Sequence, residues 1–188
     1  MLRMVVGLST FLRRAGVVLM MGRTHEDFDR FVGEACEPLL GAVYLIVRDA
    51  SAAEDVVQET LLRVARRWPR VRRMRRPSAY ARRIAVNLAI DAHGARSRER
   101  AALEHEGIAL ERSEPAGNGR VEQRADLMAA LSRLSPRARA VIVLRYYGDL
   151  SEAQVAETLG CSVGTVKATT SRALAALRKQ GVDSYATR

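Results

Sequence analysis

The sequence predicts an all-α protein: two small helical domains joined by a flexible linker, the C-terminal one carrying a helix-turn-helix. Three observations predict it. Apolar residues recur every three or four positions over two stretches, about 25–95 and 121–180, which gathers them on one face of each helix. No run alternates apolar and polar residues for more than a few positions, as a half-buried strand would. Between the two stretches "RSRERAALEHEGIALERSEPAGNGR", residues 96–120, is polar and ends in proline and glycines. It reads as a linker with no more than transient helix.

Taken in order, the chain opens with "MLRMVVGLSTFLRRAGVVLMMG". Its apolar runs are too short to span a bilayer. Arg13 and Arg14 sit where a signal peptide is apolar. Met20 and Met21 stand just before a better-patterned segment, so residues 1–24 read as an N-terminal extension, disordered or mis-started. From His25 to Val47, Phe28, Phe31, Val32, Leu39, Leu40, Val43, Tyr44 and Val47 keep helical spacing, with Pro38 expected to break or bend the helix. In "SAAEDVVQETLLRVARRW" Ser51 is the expected N-cap, with Glu54 completing a capping box. Val57, Leu61, Val64 and Trp68 share its buried face. "PRVRRMRRP" is a basic connector between Pro69 and Pro77. A further helix is expected from Ser78 to His93, with Ala81, Ile84, Ala85 and Leu88 inward and its pattern ending around Gly94.

In the second domain Ser135-Pro136 marks a helix start, with serine as cap and proline in the first turn. Ser151 and Gln154 form a capping box, and Ser162 caps the last helix. Gly160 between them suits a left-handed helix end. Val155, Ala156 and Leu159, then Val163, Val166, Ala173, Leu174 and Leu177, form the expected core; residues 181–188 are a tail.

The chain of 188 residues has a formal net charge of +10, so a polyanion is the first partner class to consider. Cys36 and Cys161 are far apart and no C-x-x-C occurs, so two reduced, mostly buried thiols are expected rather than a disulfide framework. His25, His93 and His105 lack zinc-ligand spacing. No metal and no cofactor is expected.

Three surfaces carry functional signals. The outer face of the last helix presents Ser162, Gly164, Thr165, Lys167, Ala168, Ser171 and Arg172. Small polar residues at a helix N-terminus allow close approach to a groove, and the free N–H groups there favour phosphate. That is how a helix-turn-helix enters the major groove of duplex DNA, although an ordinary helical hairpin has similar spacing. Upstream, ten arginines lie between Arg63 and Arg83, with no acidic residue from Thr60 to Ile90. A one-sign run of this length favours phosphate over a merely solvated face. Beyond it Asn87 follows Arg82 and Arg83 by about one turn and can bond a base edge with both amide groups. Tyr80 either stacks on an unpaired base or serves as a core aromatic. Finally, Asp55, Gln58 and Glu59 share a face opposite the Val57–Trp68 stripe. An acidic face is unsuited to DNA; it is either solvated or set to meet a basic protein surface.

"AAEDVVQETLLRVARRW", "PSAYARRIAVNLAID" and "ALSRLSPRARAVIVLRYYGDLSEAQVAETLGCSVGTVKATTSRALAALR" together resemble the extracytoplasmic-function (ECF) group of bacterial RNA polymerase sigma factors, especially the actinobacterial type. The resemblance covers about Phe28 to Arg178, both domains in order, and three motifs in register make it specific. It implies a cytoplasmic factor, not an enzyme. Such a factor binds core RNA polymerase and directs transcription initiation by reading −35 duplex and melted −10 DNA. Residues 25–95 would be a region 2-like domain and residues 121–180 a region 4-like domain. By position, Asp55, Gln58 and Glu59 would dock on the clamp helices of the β′ subunit, with the β flap as a second polymerase contact. Arg76, Ser78, Tyr80, Arg82, Arg83 and Asn87 would hold the −10 strand. Ser162, Val163, Gly164, Thr165, Lys167, Ala168, Ser171 and Arg172 would read the −35 duplex. The family often has an anti-sigma factor, which the resemblance allows here, and no membrane insertion is implied. The linker glutamates Glu99, Glu104, Glu106, Glu111 and Glu114 would mimic nucleic-acid charge in the polymerase cleft. Two departures bear on promoter choice: many members carry Trp near Tyr80, and many carry Arg where Thr169 stands.

Two other classes fit less well. A stand-alone regulator with a similar C-terminal helix-turn-helix would usually have a sensor or receiver domain upstream, and no α/β receiver pattern is present. A DNA-processing enzyme needs a nucleophile among ordered basic groups or a carboxylate cluster for metal, and neither pattern is evident.

Overall fold

The computed structural model describes residues 23–105 and 119–179. The readings of the N-terminal extension before Arg23, of the linker between residues 106 and 118, and of the tail lie outside them. Eight α-helices and one π-helical turn make up these residues, and no strand occurs among them. The helices are α1 (Arg23–Val47), α2 (Ala50–Arg66), α3 (Trp68–Val71), α4 (Pro77–His105), α5 (Gly119–Ser132), α6 (Pro136–Ile142), α7 (Glu152–Leu159) and α8 (Val163–Arg178); the π turn is Val143–Tyr147.

The N-terminal lobe is α1, α2 and α4 packed on one another, with the one-turn α3 closing an end. The stripe Val57, Leu61, Val64 and Trp68 is buried as its spacing predicts. Trp68 meets Phe28 edge-on, ring centroids 5.1 Å apart, and Phe31 at the same separation, an arrangement that adds to area burial alone. Ala81 and Ala85 are fully buried, while Ile84 and Leu88 pack at the core margin. Buried Thr60 bonds back to the Val56 carbonyl at 2.7 Å, so its hydroxyl carries no desolvation penalty.

Three local expectations are corrected. α1 runs without a break through Pro38. The proline is exposed, while Ala35, Cys36, Leu39 and Ala42 on either side of it are buried. Side-chain burial of about 1.5–3 kcal/mol for each large residue outweighs the roughly 3 kcal/mol that an internal proline costs. The cap of α2 is Asp49, whose carboxylate accepts from Ala52 N at 2.7 Å, and not Ser51, which lies within the helix. Arg48 at φ 62° makes the turn that presents Asp49. α4 does not stop near Gly94 but continues to His105. A single internal glycine costs only about 1 kcal/mol, and the alanine, arginine and glutamate after it are good helix formers.

The C-terminal lobe packs α6 and α7 against α8. Ser135 caps α6 through Ala138 N, with Pro136 in the first turn. The lobes are joined by more than covalent connection. One continuous core runs from Phe28 through Val43 and Ala85 to Leu144, Val155 and Val166. α6 touches both α1 and α4, and α4 also touches α7. At this junction Arg139 is wholly buried. Its guanidinium donates to the carbonyls of Leu131 at 2.7 Å, Leu134 at 2.9 Å and Ser132 at 3.3 Å, at the C-terminal end of α5. It also donates to the carbonyl of Ile46, near the end of α1. One cation therefore bonds carbonyls at two helix ends in two lobes.

Candidate nucleic-acid and polymerase interfaces

The helix-turn-helix is set by local chemistry. Ser151 accepts from Gln154 N while the Gln154 side chain accepts from Ser151 N at 2.8 Å, a complete capping box. Gly160 ends α7 at φ 62°, ψ 43°, where a side chain would be strained. Ser162 accepts from Thr165 N at 3.0 Å and its hydroxyl lies 2.9 Å from the Thr165 hydroxyl, so both also hold the N-terminus of α8. Val166, Ala173 and Leu177 face the core, with Leu174 half-buried.

All eight residues expected to read duplex, Ser162, Val163, Gly164, Thr165, Lys167, Ala168, Ser171 and Arg172, are exposed. Val163 had been expected to serve the core as well. At 39% exposure it does not. Lys167 Nζ lies 3.7 Å from Glu152 Oε2 with both groups open to water, a pairing too weak to withhold the cation from phosphate. Arg172 folds back with Nε on the Ala168 carbonyl at 3.2 Å.

In the N-terminal lobe Arg76, Ser78, Tyr80, Arg82 and Arg83 line one cleft of about 670 Å³. Pro77 starts α4, and no acidic residue stands in its first turn to oppose an anion. Tyr80 is half-buried: it packs against the core while its hydroxyl accepts from Arg67 at 3.3 Å. The core-aromatic reading of this residue holds in part. Burial lowers the pKa of Arg82. Asn87 is exposed on α4 one turn past Arg83, outside the cleft wall. The opposite wall of the cleft is Leu150, Gln154, Glu157 and Thr158 of the C-terminal lobe.

On α2, Asp55 is exposed and Gln58 and Glu59 are half-exposed, and none of them lines the cleft. Glu59 pairs with Arg63 at 2.7 Å, an exposed pair one turn apart. Cys36 is buried and Cys161 half-buried, each a free thiol. Burial, and secondarily Glu37, pushes the Cys36 thiol up. Among the described residues no cluster of three or more His, Cys, Asp or Glu forms a metal site, and no helix is long and apolar enough to cross a membrane.

Two features escaped the sequence reading. One is Arg139, for which the sequence carries no expectation. The other is an apolar cleft of about 250 Å³ lined by Leu45, Leu127, Leu131, Ile142, Leu174 and Leu177. Tyr146 and Tyr147, about half exposed, stand at its side. The signal was "RYYG": adjacent tyrosines cannot both face inward from one helix, and the π turn leaves both outside.

Comparison with known proteins agrees with this geometry. Residues 34–99 match sigma-70 region 2, and residues 124–177 match sigma-70 region 4. The RNA polymerase sigma-E factor of Streptomyces coelicolor is 34% identical over 157 residues, covering 82% of this chain and 85% of that protein. The ECF RNA polymerase sigma factor SigL of Mycobacterium tuberculosis is 39% identical over 132 residues, covering 69% and 75%. The solved structure of the sigma factor RpoE from Bartonella quintana, in complex with the anti-sigma factor NepR, superposes with a TM-score of 0.67 at 25% identity, over 85% of this chain and 99% of that one. With both regions matched in order on an all-helical frame, the chain belongs to the RNA polymerase sigma factors, in their extracytoplasmic-function group of actinobacterial type, and acts in transcription initiation.

Proposed function

We propose that this sigma factor directs core RNA polymerase to promoters by reading −35 duplex with the exposed face of α8 and melted −10 strand with the N-terminal half of α4. The observation that carries the reading is the gathering of Arg76, Ser78, Tyr80, Arg82 and Arg83 on one cleft, beside an α8 face open to solvent along its length. Arginines in the first set hold phosphates, Tyr80 offers the exposed part of its ring to an unstacked base, and Asn87 offers its amide. In the second set Lys167 and Arg172 take phosphate or base edges, while Gly164, Ala168 and Ser171 keep α8 slim enough to seat in the groove.

Asp55, Gln58 and Glu59 form the docking face for the clamp helices of the β′ subunit, which calls for a basic partner surface. The apolar cleft beside Tyr146 and Tyr147 suits an apolar helix, and we assign it to the β flap. An anti-sigma factor would compete for the same surfaces. The factor works in the cytoplasm, where the polymerase is, and has no reaction of its own. It contributes binding free energy that offsets the few kcal/mol needed to unstack a base, roughly 1–3 kcal/mol per captured base.

The test is reconstitution with core polymerase followed by transcript-start mapping across the genome. Starts sharing one −35 and −10 pair are expected. A chain that fails to join core polymerase yet binds its DNA tightly alone would overturn the reading.

A further inference from the structure

We infer that a second cleft, between α1 and the turn at residues 72–77, takes a guanine base of the same single strand that lies on the −10 surface. This rests on the proposed reading of residues 76–87 as that surface. Two clefts share the turn. Met74, Arg75, Arg76 and Ser78 line the first. Arg72, Arg73 and Pro77 line the second, whose volume of about 530 Å³ is in the range of small-ligand sites. Arg76 and Pro77 are neighbours in the chain yet line different clefts, so a strand on one reaches the other within about two nucleotides. Of the ten arginines between Arg63 and Arg83, the −10 reading uses Arg76, Arg82 and Arg83. The second cleft gives Arg72 and Arg73 a role.

The rim of this cleft suits a base and not only a phosphate. A surface for phosphate alone is basic, whereas this rim carries both signs. Asp27 bonds Arg30 at 2.7 Å and Arg72 at 3.3 Å, which links α1 to the turn and engages both carboxylate oxygens. Glu34 stands four residues past Arg30, the spacing of a helical ion pair, yet Arg30 goes to Asp27. Among the described residues the side chains of Glu34 and Arg73 make no hydrogen bond or ion pair, although both line the cleft. A carboxylate and a guanidinium on one rim that do not meet each other suit a ligand with paired donors on one edge and paired acceptors on another. Guanine is the base with both: N1–H and N2–H for Glu34, O6 and N7 for Arg73. Phe31 and Trp68, both buried and in ring contact with each other, floor the cleft with apolar edges. Arg72 keeps donors for the phosphate beyond the one that Asp27 uses.

The test uses the full chain and labelled thymidine dodecamers, read by anisotropy: a plain one, one with a single central guanine and one with a single central adenine. The dodecamer shifts freely in register, so neither the promoter sequence nor the strand polarity need be known. Guanine is expected to tighten binding about tenfold over both other strands. Trp68 is the chain's single tryptophan and lines the cleft, so its fluorescence should change with the guanine strand alone. Glu34 is exposed, so Glu34→Gln leaves the fold intact. It should abolish the guanine advantage without weakening the plain strand, because losing a carboxylate does not cost phosphate binding. Arg73→Gln should abolish the advantage as well. Equal affinity for guanine and plain strands, or an advantage that survives Glu34→Gln, overturns the inference. Free guanosine monophosphate binding as tightly as the guanine strand also overturns it, in favour of a free nucleotide. If the plain strand still binds and Arg83→Ala weakens it, the proposed function survives that failure; if no dodecamer binds, both fall.

Discussion

Replacing Arg139 by methionine removes a buried cation while keeping a long apolar stem. Four backbone carbonyls lose this donor: Leu131, Ser132 and Leu134 at or just past the end of α5, and Ile46 near the end of α1; Leu131 keeps the Leu134 N–H. A buried acceptor left unmatched costs about 1–3 kcal/mol. Water reaches some of the α5 carbonyls once the side chain is gone, and the variant no longer desolvates a charge. Counting about half of the four at full cost gives a loss of about 2–6 kcal/mol. At roughly 2–4 °C per kcal/mol for a chain of this size, Tm should fall by about 4–24 °C. Urea denaturation followed by circular dichroism measures it, as a lower midpoint at unchanged slope. Arg139→Lys should recover less than half, because one ammonium cannot span both helix ends. Burial, and secondarily Arg48, lowers the Arg139 pKa to about 10. A folded pKa below the unfolded one means the unfolded chain holds the proton more strongly between them. Stability attributable to this group therefore rises with pH only above about 10, and the gap between wild type and variant should be constant over pH about 6–9. A loss under about 1 kcal/mol, or a gap that changes within that range, would refute the reasoning.

Asp55→Ala with Glu59→Ala should weaken core polymerase binding, read by surface plasmon resonance, while leaving stability within about 0.5 kcal/mol, because the Glu59–Arg63 pair is exposed; unchanged affinity would remove the pair from the docking face. Lys167→Ala should reduce the slope of log affinity against log salt for −35 duplex by about one counterion, measured by anisotropy titration; a wild-type slope would strike Lys167 from the contacts. Iodoacetamide should label Cys161 in the native chain and Cys36 only after unfolding, since Cys36 is buried and its thiol pKa is raised; peptide mass spectrometry showing equal native labelling would count against the α1 core as described.

The helix-turn-helix was legible because its signals are local. Ser151 with Gln154, Gly160 and Ser162 act on backbone within three or four residues, so their identity and spacing suffice. The arginine run and the acidic face of α2 were legible too, because charge placement follows directly from helical period. The same locality explains a near miss: Asp49 and Ser51 are both good caps, and the turn at Arg48 decided between them.

Composition, periodicity and caps thus determined the two helical regions and nominated most of the residues proposed to meet DNA; Arg76 and Ser78 came from the family resemblance. Tertiary structure decided the rest: that Pro38 sits inside a continuous helix, that Arg139 lies in the core bonding carbonyls of distant helices, and that the lobes share one apolar interior. Each of these depends on groups far apart in sequence. A proline's cost is outweighed only by packing, and a buried guanidinium is tolerated only where unpaired carbonyls converge from two directions.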